Sequence, residues 1–468
     1  MEFEDIATSR LDCPSQIQPP DQTTSRFIDR IIRLKTRYWN RGFLIVLLTF
    51  IGLTIQWLQN QSLKINLSKS YEEINNVQYI FYGMCVGYFP GGVLTTIFSA
   101  QKVYGISFII SSILHIMEAL NYLKAYLYIF SLFCIGMTLA IASTAYHRIY
   151  TFWVPLNKKS VRHVPIILWM MVVNYKIKIN VDLNLIRELQ GIVVLPWFVL
   201  WLIVVGGDRS QSPNRGFVLF RLFGGSNTTP LSTGTNVVSL RRPTISDIPW
   251  KSICTSMPVI ALVLSYICYA NLHLLHRSYN SYQYPFKHDQ SLSKHTTILL
   301  FITFILIELI PEITMCFSVT NVRKIFSCLY FVSMGIIYYV EAFPDNIFLF
   351  LDNKKFVHLI YNFMPYFSLF GFKINHLDIA PQYSSVLFGI FMTIYYITWF
   401  FSPSILKYSL IFEKLNQIQF CFLVAVINLA VAVFYVIFAS AELQPWAVDK
   451  PVKESQRNMQ EEVNLTAL

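Results

Sequence analysis

The amino-acid sequence predicts an all-α integral membrane protein with about twelve transmembrane helices. Hydrophobic residues make up 54% of the 468 residues and charged residues only 13%, whereas soluble domains carry about 25% charged residues. The apolar residues form runs close to the roughly 20 residues that a helix needs to cross the hydrocarbon layer. These runs lie at 43–59, 77–97, 103–119, 124–147, 164–181, 189–206, 253–273, 297–316, 325–343, 356–374, 385–404 and 418–440.

The net charge of +11 favours a topological role over nucleic-acid binding, because Lys and Arg concentrate in loops that stay on the cytoplasmic side. Basic residues precede the first run and separate the sixth from the seventh: Arg26, Arg30, Arg33, Lys35, Arg37 and Arg41, then Arg209, Arg215, Arg221, Arg241, Arg242 and Lys251. With an even number of spans, both termini are expected on the cytoplasmic side. The lipid bilayer, and not nucleic acid, is the expected surrounding of this chain.

Residues 207–249 have the composition of a solvated linker, rich in Gly, Ser, Thr, Asn and Arg. This linker divides the predicted helices into two bundles of six. The predicted organisation is a cytoplasmic arm at 1–41, an N-terminal bundle at 42–206, the cytoplasmic linker at 207–249, a C-terminal bundle at 250–446 and a cytoplasmic tail at 447–468.

Residue patterns for metal binding, cofactor binding or catalysis are sparse. The eight cysteines lie mostly inside apolar runs and show no metal-ligand spacing. The absence of a Gly-x-x-x-x-Gly-Lys loop disfavours a pump driven by bound ATP, and no cofactor is predicted. The only acid and histidine cluster is His376 with Asp378, which a helix connection explains, so the sequence disfavours an enzyme. A seven-helix receptor would leave five of the runs without a role.

The second run is unusually rich in residues that weaken a helix. Gly83, Gly87, Pro90, Gly91 and Gly92 lie within it, and this density is costly unless it permits bending or close approach of another helix. We expect close helix packing here.

A polar motif interrupts the apolar sequence between Gly371 and Gly389. Asn375, His376 and Asp378 precede Pro381, and proline is tolerated at a helix start but removes a hydrogen bond inside a helix. The motif predicts the end of one membrane helix, a tight loop and the start of the next helix. Its polar side chains are expected to fix that loop rather than to contact substrate.

This motif resembles a segment of the sodium/phosphate, sialin and vesicular glutamate cotransporter family of the major facilitator superfamily. Further matches occur in the family's order over residues 37 to 446: Tyr82-Gly83 with Pro90-Gly91-Gly92 and Gly105, Trp153 with Pro155 and Ser160, Trp250-Lys251, Val322 to Phe326, and Phe434 to Trp446. The resemblance implies the major facilitator fold and secondary transport of a small organic or inorganic anion such as phosphate, sialate or glutamate. It also implies coupling to sodium or protons, in the plasma membrane or in a lysosomal or vesicular membrane.

The candidate substrate-binding residues are two lysines. Leu63-Lys64-Ile65-Asn66-Leu67 is similar to a family segment with Arg at the second position, so the resemblance makes Lys64 a candidate for the substrate anion. A snorkelling lysine or an outer loop is the alternative. Lys373, near the end of the tenth run, is a second charge in the membrane region.

The candidate coupling residues are His147 and Glu308. His147 matches a family histidine and titrates near neutral pH, although an interfacial structural histidine is the alternative. Glu308 lies deep in the eighth run, where a charge is costly unless it faces a cavity or a partner. A protonated or paired structural glutamate is the alternative there.

Two family charges are absent from the fourth run. Relative to Trp153, the resemblance places the family's membrane Arg at Leu132 and its Glu at Leu139. Losing both removes an anion clamp and a proton-coupling carboxylate. The sequence therefore also supports a second hypothesis, a transport-deficient relative that acts as a membrane partner or regulator.

Overall fold

A computed structural model describes residues 44–56, 77–119, 125–153, 194, 196–204, 245–282, 317–342, 364–408 and 417–447. The regular structure of these residues is entirely helical. Lys64 and Glu308 lie outside the described residues, as do the fifth and eighth predicted runs, the arm, most of the linker and most of the tail.

The described helices of the N-terminal half follow the corresponding predicted runs closely. They are α1 at Leu44–Gln56, α2 at Val77–Ile97, α3 at Ala100–Ala119, α4 at Ala125–Trp153 and α5 at 196–204. Helix α2 has the same bounds as the second run, and α4 continues beyond the end predicted at residue 147.

The described C-terminal half begins with a bent pair of helices, α6 at Trp250–Thr255 and α7 at Met257–Tyr282, and α8 follows at Val319–Ala342. Helix α9 at 364–370 and helix α10 at Phe372–Ile379 meet at Gly371. Helix α11 spans Ser384–Tyr408 and helix α12 spans Gln417–Phe438. Within the described part, five helices are long and apolar enough to cross a membrane: α2, α3, α4, α11 and α12.

The glycines of α2 permit close helix packing, as the sequence predicts. A Cβ atom at Gly83 would collide with the carbonyl oxygen of Phe133 in α4, and one at Gly87 would lie 2.7 Å from the carbonyl oxygen of Met137. The contacts advance along both helices in the same direction, so α2 and α4 run parallel. Only glycine allows their backbones to approach this closely.

Aromatic side chains join α1, α3 and α5. The Tyr104 hydroxyl donates a hydrogen bond to the Thr49 carbonyl at 2.9 Å, and the Trp197 indole donates to the Leu48 carbonyl at 3.2 Å. Leu132 and Leu139 of α4 belong to the same buried apolar core, at 0% and 7% exposure. The positions that lack the family charges therefore lie in apolar surroundings.

Candidate functional site

The polar motif lies mainly on a helix, so the predicted loop is wrong in its extent. Asn375, His376 and Asp378 all belong to α10, and the connection to α11 consists of Ala380 and the single turn Pro381–Tyr383. Pro381 starts that turn, as the sequence predicts. The helix continues through the polar residues because each has a buried partner on another element, which the periodicity of one segment does not reveal.

Lys373 carries a buried side-chain amine near the start of α10. It is 7% exposed, and its Nζ atom lies 3.8 Å from the centroid of the Tyr269 ring in α7. A cation over an aromatic face is stabilised by the ring quadrupole. None of the described carboxylates lies within salt-bridge distance of Lys373. The amine of Lys373 is therefore bordered by an aromatic ring and lies beyond salt-bridge distance of the described carboxylates.

A chain of tyrosines leads from Lys373 to the N-terminal half. The Tyr269 ring lies 5.7 Å from Tyr395 in α11, Tyr395 lies 5.1 Å from Tyr396, and Tyr396 stacks at 5.5 Å on Tyr88 of α2. These rings place aromatic groups between the two halves, and they begin at the ring that contacts Lys373.

At the other end of α10 a second cation is fully compensated. The Arg323 Nε atom of α8 donates to Asp378 Oδ2 at 2.8 Å, and Arg323 also donates to the Phe370 carbonyl at 2.8 Å. The two side chains are 3% and 9% exposed. Phe370 ends α9, where a carbonyl has no partner within its own helix, so Arg323 satisfies both a buried charge and a helix end.

Asn375 connects α10 to the end of α12. Its amide donates to the Tyr435 hydroxyl and to the Ser440 carbonyl, both at 3.1 Å. The segment after α12 makes a further hydrogen bond, from the backbone N–H of Gln444 to the Ile379 carbonyl at 2.9 Å. Asn375 and Asp378 thus contact elements of the C-terminal half.

His376 instead contacts the N-terminal half. Its Nε2 atom lies 3.0 Å from Nδ1 of His147 in α4, and both side chains are 0% exposed. The Phe388 ring of α11 stacks on His147 with centroids 3.7 Å apart. The imidazole of His147 is therefore enclosed between the two halves.

Small residues also join the two halves. A Cβ atom at Gly92 of α2 would lie 2.5 Å from the Ser385 carbonyl of α11. Thr96 Oγ1 lies 3.1 Å from Ser385 Oγ, and Thr151 Oγ1 of α4 lies 3.3 Å from Ser384 Oγ. Within the same motif Gly91 faces Ile141 and Thr144 of α4, whereas Pro90 lies on the exposed side of the helix.

Sequence reasoning missed Arg323 and the tyrosines. Arg323 precedes the ninth run as predicted, 325–343, but α8 begins at Val319 and includes it. The rule that selected Lys373, a charge inside a membrane helix, would have selected Arg323 if the boundary had been placed earlier. Tyr269, Tyr395 and Tyr396 carry no comparable signal, because aromatic residues are common throughout this chain.

The chain is similar to known membrane transporters. It is 25% identical over 423 residues to a probable vesicular glutamate transporter of Caenorhabditis elegans, covering 83% of this chain and 68% of that one. It is 24% identical over 395 residues to human vesicular glutamate transporter 2, covering 80% and 66% of the two chains, and 23% identical over 395 residues to vesicular glutamate transporter 1 of Xenopus laevis, covering 78% and 65%. The matched part of the chain thus spans about two thirds of the length of these relatives.

Two solved structures show the fold. The proton:xylose symporter XylE, bound to 6-bromo-6-deoxy-D-glucose, gives a TM-score of 0.55 at 14% identity and covers 86% of this chain and 98% of its own. The transporter FucP in its outward conformation gives 0.56 at 14% identity, with 86% and 100% covered. Both are major facilitator transporters, and the fold of this chain is the major facilitator fold. No family model matches the sequence.

Proposed function

We propose that this chain, a divergent homologue of the vesicular glutamate transporters within the anion/phosphate cotransporter family of the major facilitator superfamily, is a secondary transporter of a small organic or inorganic anion. It is a multi-pass membrane protein, and its relatives are transporters and not enzymes. In this proposal the two halves rock about a central site, which becomes accessible first from one side of the membrane and then from the other.

The observation that carries the proposal is the buried ammonium of Lys373. A buried charge is costly unless a partner compensates it, and the described residues offer Lys373 only the face of Tyr269. An anionic substrate would supply the missing negative charge when it binds. The adjacent tyrosine hydroxyls would donate hydrogen bonds to the same anion.

Lys64 and Glu308 retain the roles that the sequence predicts for them, although they lie outside the described residues. Lys64 would provide a second cation for the substrate. Glu308 and His147 are the proposed groups for coupling to a proton, and sodium is the other coupling ion to be tested. The resemblance to vesicular transporters favours an organellar membrane.

A second candidate function is a transport-deficient partner or regulator in the membrane. Leu132 and Leu139 favour it, because both are buried in the apolar core of the N-terminal half. The resemblance implies an Arg and a Glu at these two positions of α4. Because both are leucine here, neither position provides a charge for binding or coupling.

Uptake into proteoliposomes separates the two functions. Purified protein would be tested with labelled phosphate, glutamate and sialic acid under imposed sodium and pH gradients. We expect uptake of at least one anion, and we expect Lys373→Met to lower the affinity for that anion by about tenfold to a hundredfold. The matched control is Lys251→Met, which removes an exposed lysine of α6. If folded protein takes up no anion under any gradient, the partner function replaces transport.

A further inference from the structure

The contact between His147 and His376 is unusual for its position. It joins α4 of the N-terminal half to α10 of the C-terminal half, and neither imidazole reaches solvent. The bond of 3.0 Å between Nδ1 of His147 and Nε2 of His376 requires one nitrogen to carry a proton and the other to present its lone pair. The geometry of the contact therefore depends on how many protons the pair holds.

Three states of the pair differ in this bond. With both rings neutral, one ring donates and the other accepts. With one proton added, the imidazolium donates to the neutral ring, and this charge-assisted bond is stronger than the neutral one. With a second proton added, both nitrogens carry hydrogen and the bond is lost. Two positive rings with centroids 5.0 Å apart then also repel each other.

Aromatic and charged groups lie around the pair. The Phe388 ring stacks on His147 at 3.7 Å and lies 5.5 Å from His376, so its face can stabilise an imidazolium. The nearby charge of Asp378 is already paired with Arg323. Further titratable or charged side chains on the elements that carry the pair or pack on it include Tyr146, Arg148 and Tyr150 of α4, Lys373 of α10, and Tyr88 of α2, which packs on Phe388.

We propose that His147 and His376 form a proton-binding site between the two halves. The pair holds the halves together when both rings are neutral or when one proton has been added, and it releases them when two protons have been added. This inference rests on the proposed transport function, because alternating access requires contacts between the halves to break. It names the proton as the coupling ion and assigns its site to a pair of residues, one from each half. The neighbouring contacts Thr96–Ser385 and Thr151–Ser384 would separate along with it.

Glutamine variants test the site without removing the hydrogen bond. In His147→Gln or His376→Gln, the amide accepts from or donates to the remaining ring whether that ring is neutral or protonated. The variants therefore keep the contact and lose the doubly protonated state. The double variant His147→Gln/His376→Gln also retains a bonded pair and contains no titratable ring. His115→Gln is the matched control, because His115 bonds to Ser111 within α3 and lies away from the contact between the halves.

The readout is a distance between the halves that does not depend on transport. Spin labels would be placed in the full-length protein at Phe98→Cys and Ile245→Cys, which are 55% and 58% exposed, after the native cysteines have been replaced. Distances would be measured at acidic and alkaline pH, on either side of the ordinary histidine range. We expect a longer distance at acidic pH in the parent and in His115→Gln, and no change in the glutamine variants at positions 147 and 376.

Two results would overturn the proton site: a parent distance that does not respond to pH, or the same response in the parent and in the folded glutamine variants. Anion uptake into proteoliposomes gives the second arm. If the histidine-dependent response is present but no gradient drives uptake, the proton-sensitive contact stands and the transport proposal fails. If uptake is robust but the response does not depend on the histidines, transport stands and this site is wrong.

Discussion

Arg323 and Lys373 are both buried basic residues of the C-terminal half. They differ in the partners that their side chains have. Arg323 bonds to Asp378 and to the Phe370 carbonyl at 2.8 Å each. Lys373, five positions before Asp378 on the same helix, has the Tyr269 ring and no described carboxylate within salt-bridge distance. A compensated charge stabilises the fold, whereas an uncompensated one remains able to bind an anion.

The largest effect is expected from Asp378→Ala, which removes the partner of Arg323. An unpaired buried charge destabilises a protein by about 3–5 kcal/mol. We expect lower expression and a lower thermal unfolding temperature, with little change in the apparent substrate affinity of the protein that folds. The double variant Asp378→Leu/Arg323→Leu should recover part of the lost stability, because apolar side chains often replace a buried ion pair without cost.

A well-folded Asp378→Ala protein that selectively loses substrate binding would contradict this separation and place Asp378 in the substrate site. Unfolding temperature and substrate affinity should therefore be measured on the same preparation.

The opposite pattern is expected for Lys373→Met. Loss of a hydrogen bond to a charged group costs about 1.5–3 kcal/mol of binding, which lowers anion affinity by about tenfold to a hundredfold. Stability should stay the same or rise, because the variant no longer buries an ammonium with no described carboxylate partner. Uptake kinetics and thermal unfolding measured side by side test both expectations. Lys373→Arg, which keeps the charge, is the control.

If Lys373→Met loses stability as strongly as Asp378→Ala, the contrast between the two cations is wrong. Lys373 would then be a structural residue that has a partner outside the described part of the chain.

A smaller effect is expected from Gly92→Ala, which tests the contact between the halves. The new Cβ atom would lie 2.5 Å from the Ser385 carbonyl, and overpacking typically costs about 1–3 kcal/mol. We expect a lower unfolding temperature and a longer distance between the labels at residues 98 and 245. Gly335→Ala is the control within one half: its nearest contact would be 3.3 Å, with Ala425 and Leu429, and the gain in helix propensity offsets the tighter fit. Equal effects of the two substitutions would contradict a special role for Gly92.

The sequence by itself determined the class of protein and most helix positions. Its high apolar content and the length of its runs leave a membrane bundle as the only way to bury so many hydrophobic residues. The glycines of α2 predicted close packing, and Pro381 predicted the helix start that the structure shows. These features could be predicted because each depends on local composition or on the backbone geometry of a single residue type.

Only the tertiary structure decided which polar residues meet. Arg323 and Asp378 are 55 positions apart in the chain, and His147 and His376 are 229 positions apart. Membrane helices are apolar on most sides, so hydrophobic periodicity does not indicate which face of α10 points to α8, to α7 or to α4. For the same reason the sequence ended the tenth helix too early, since the partners that allow Asn375, His376 and Asp378 to be buried come from distant elements.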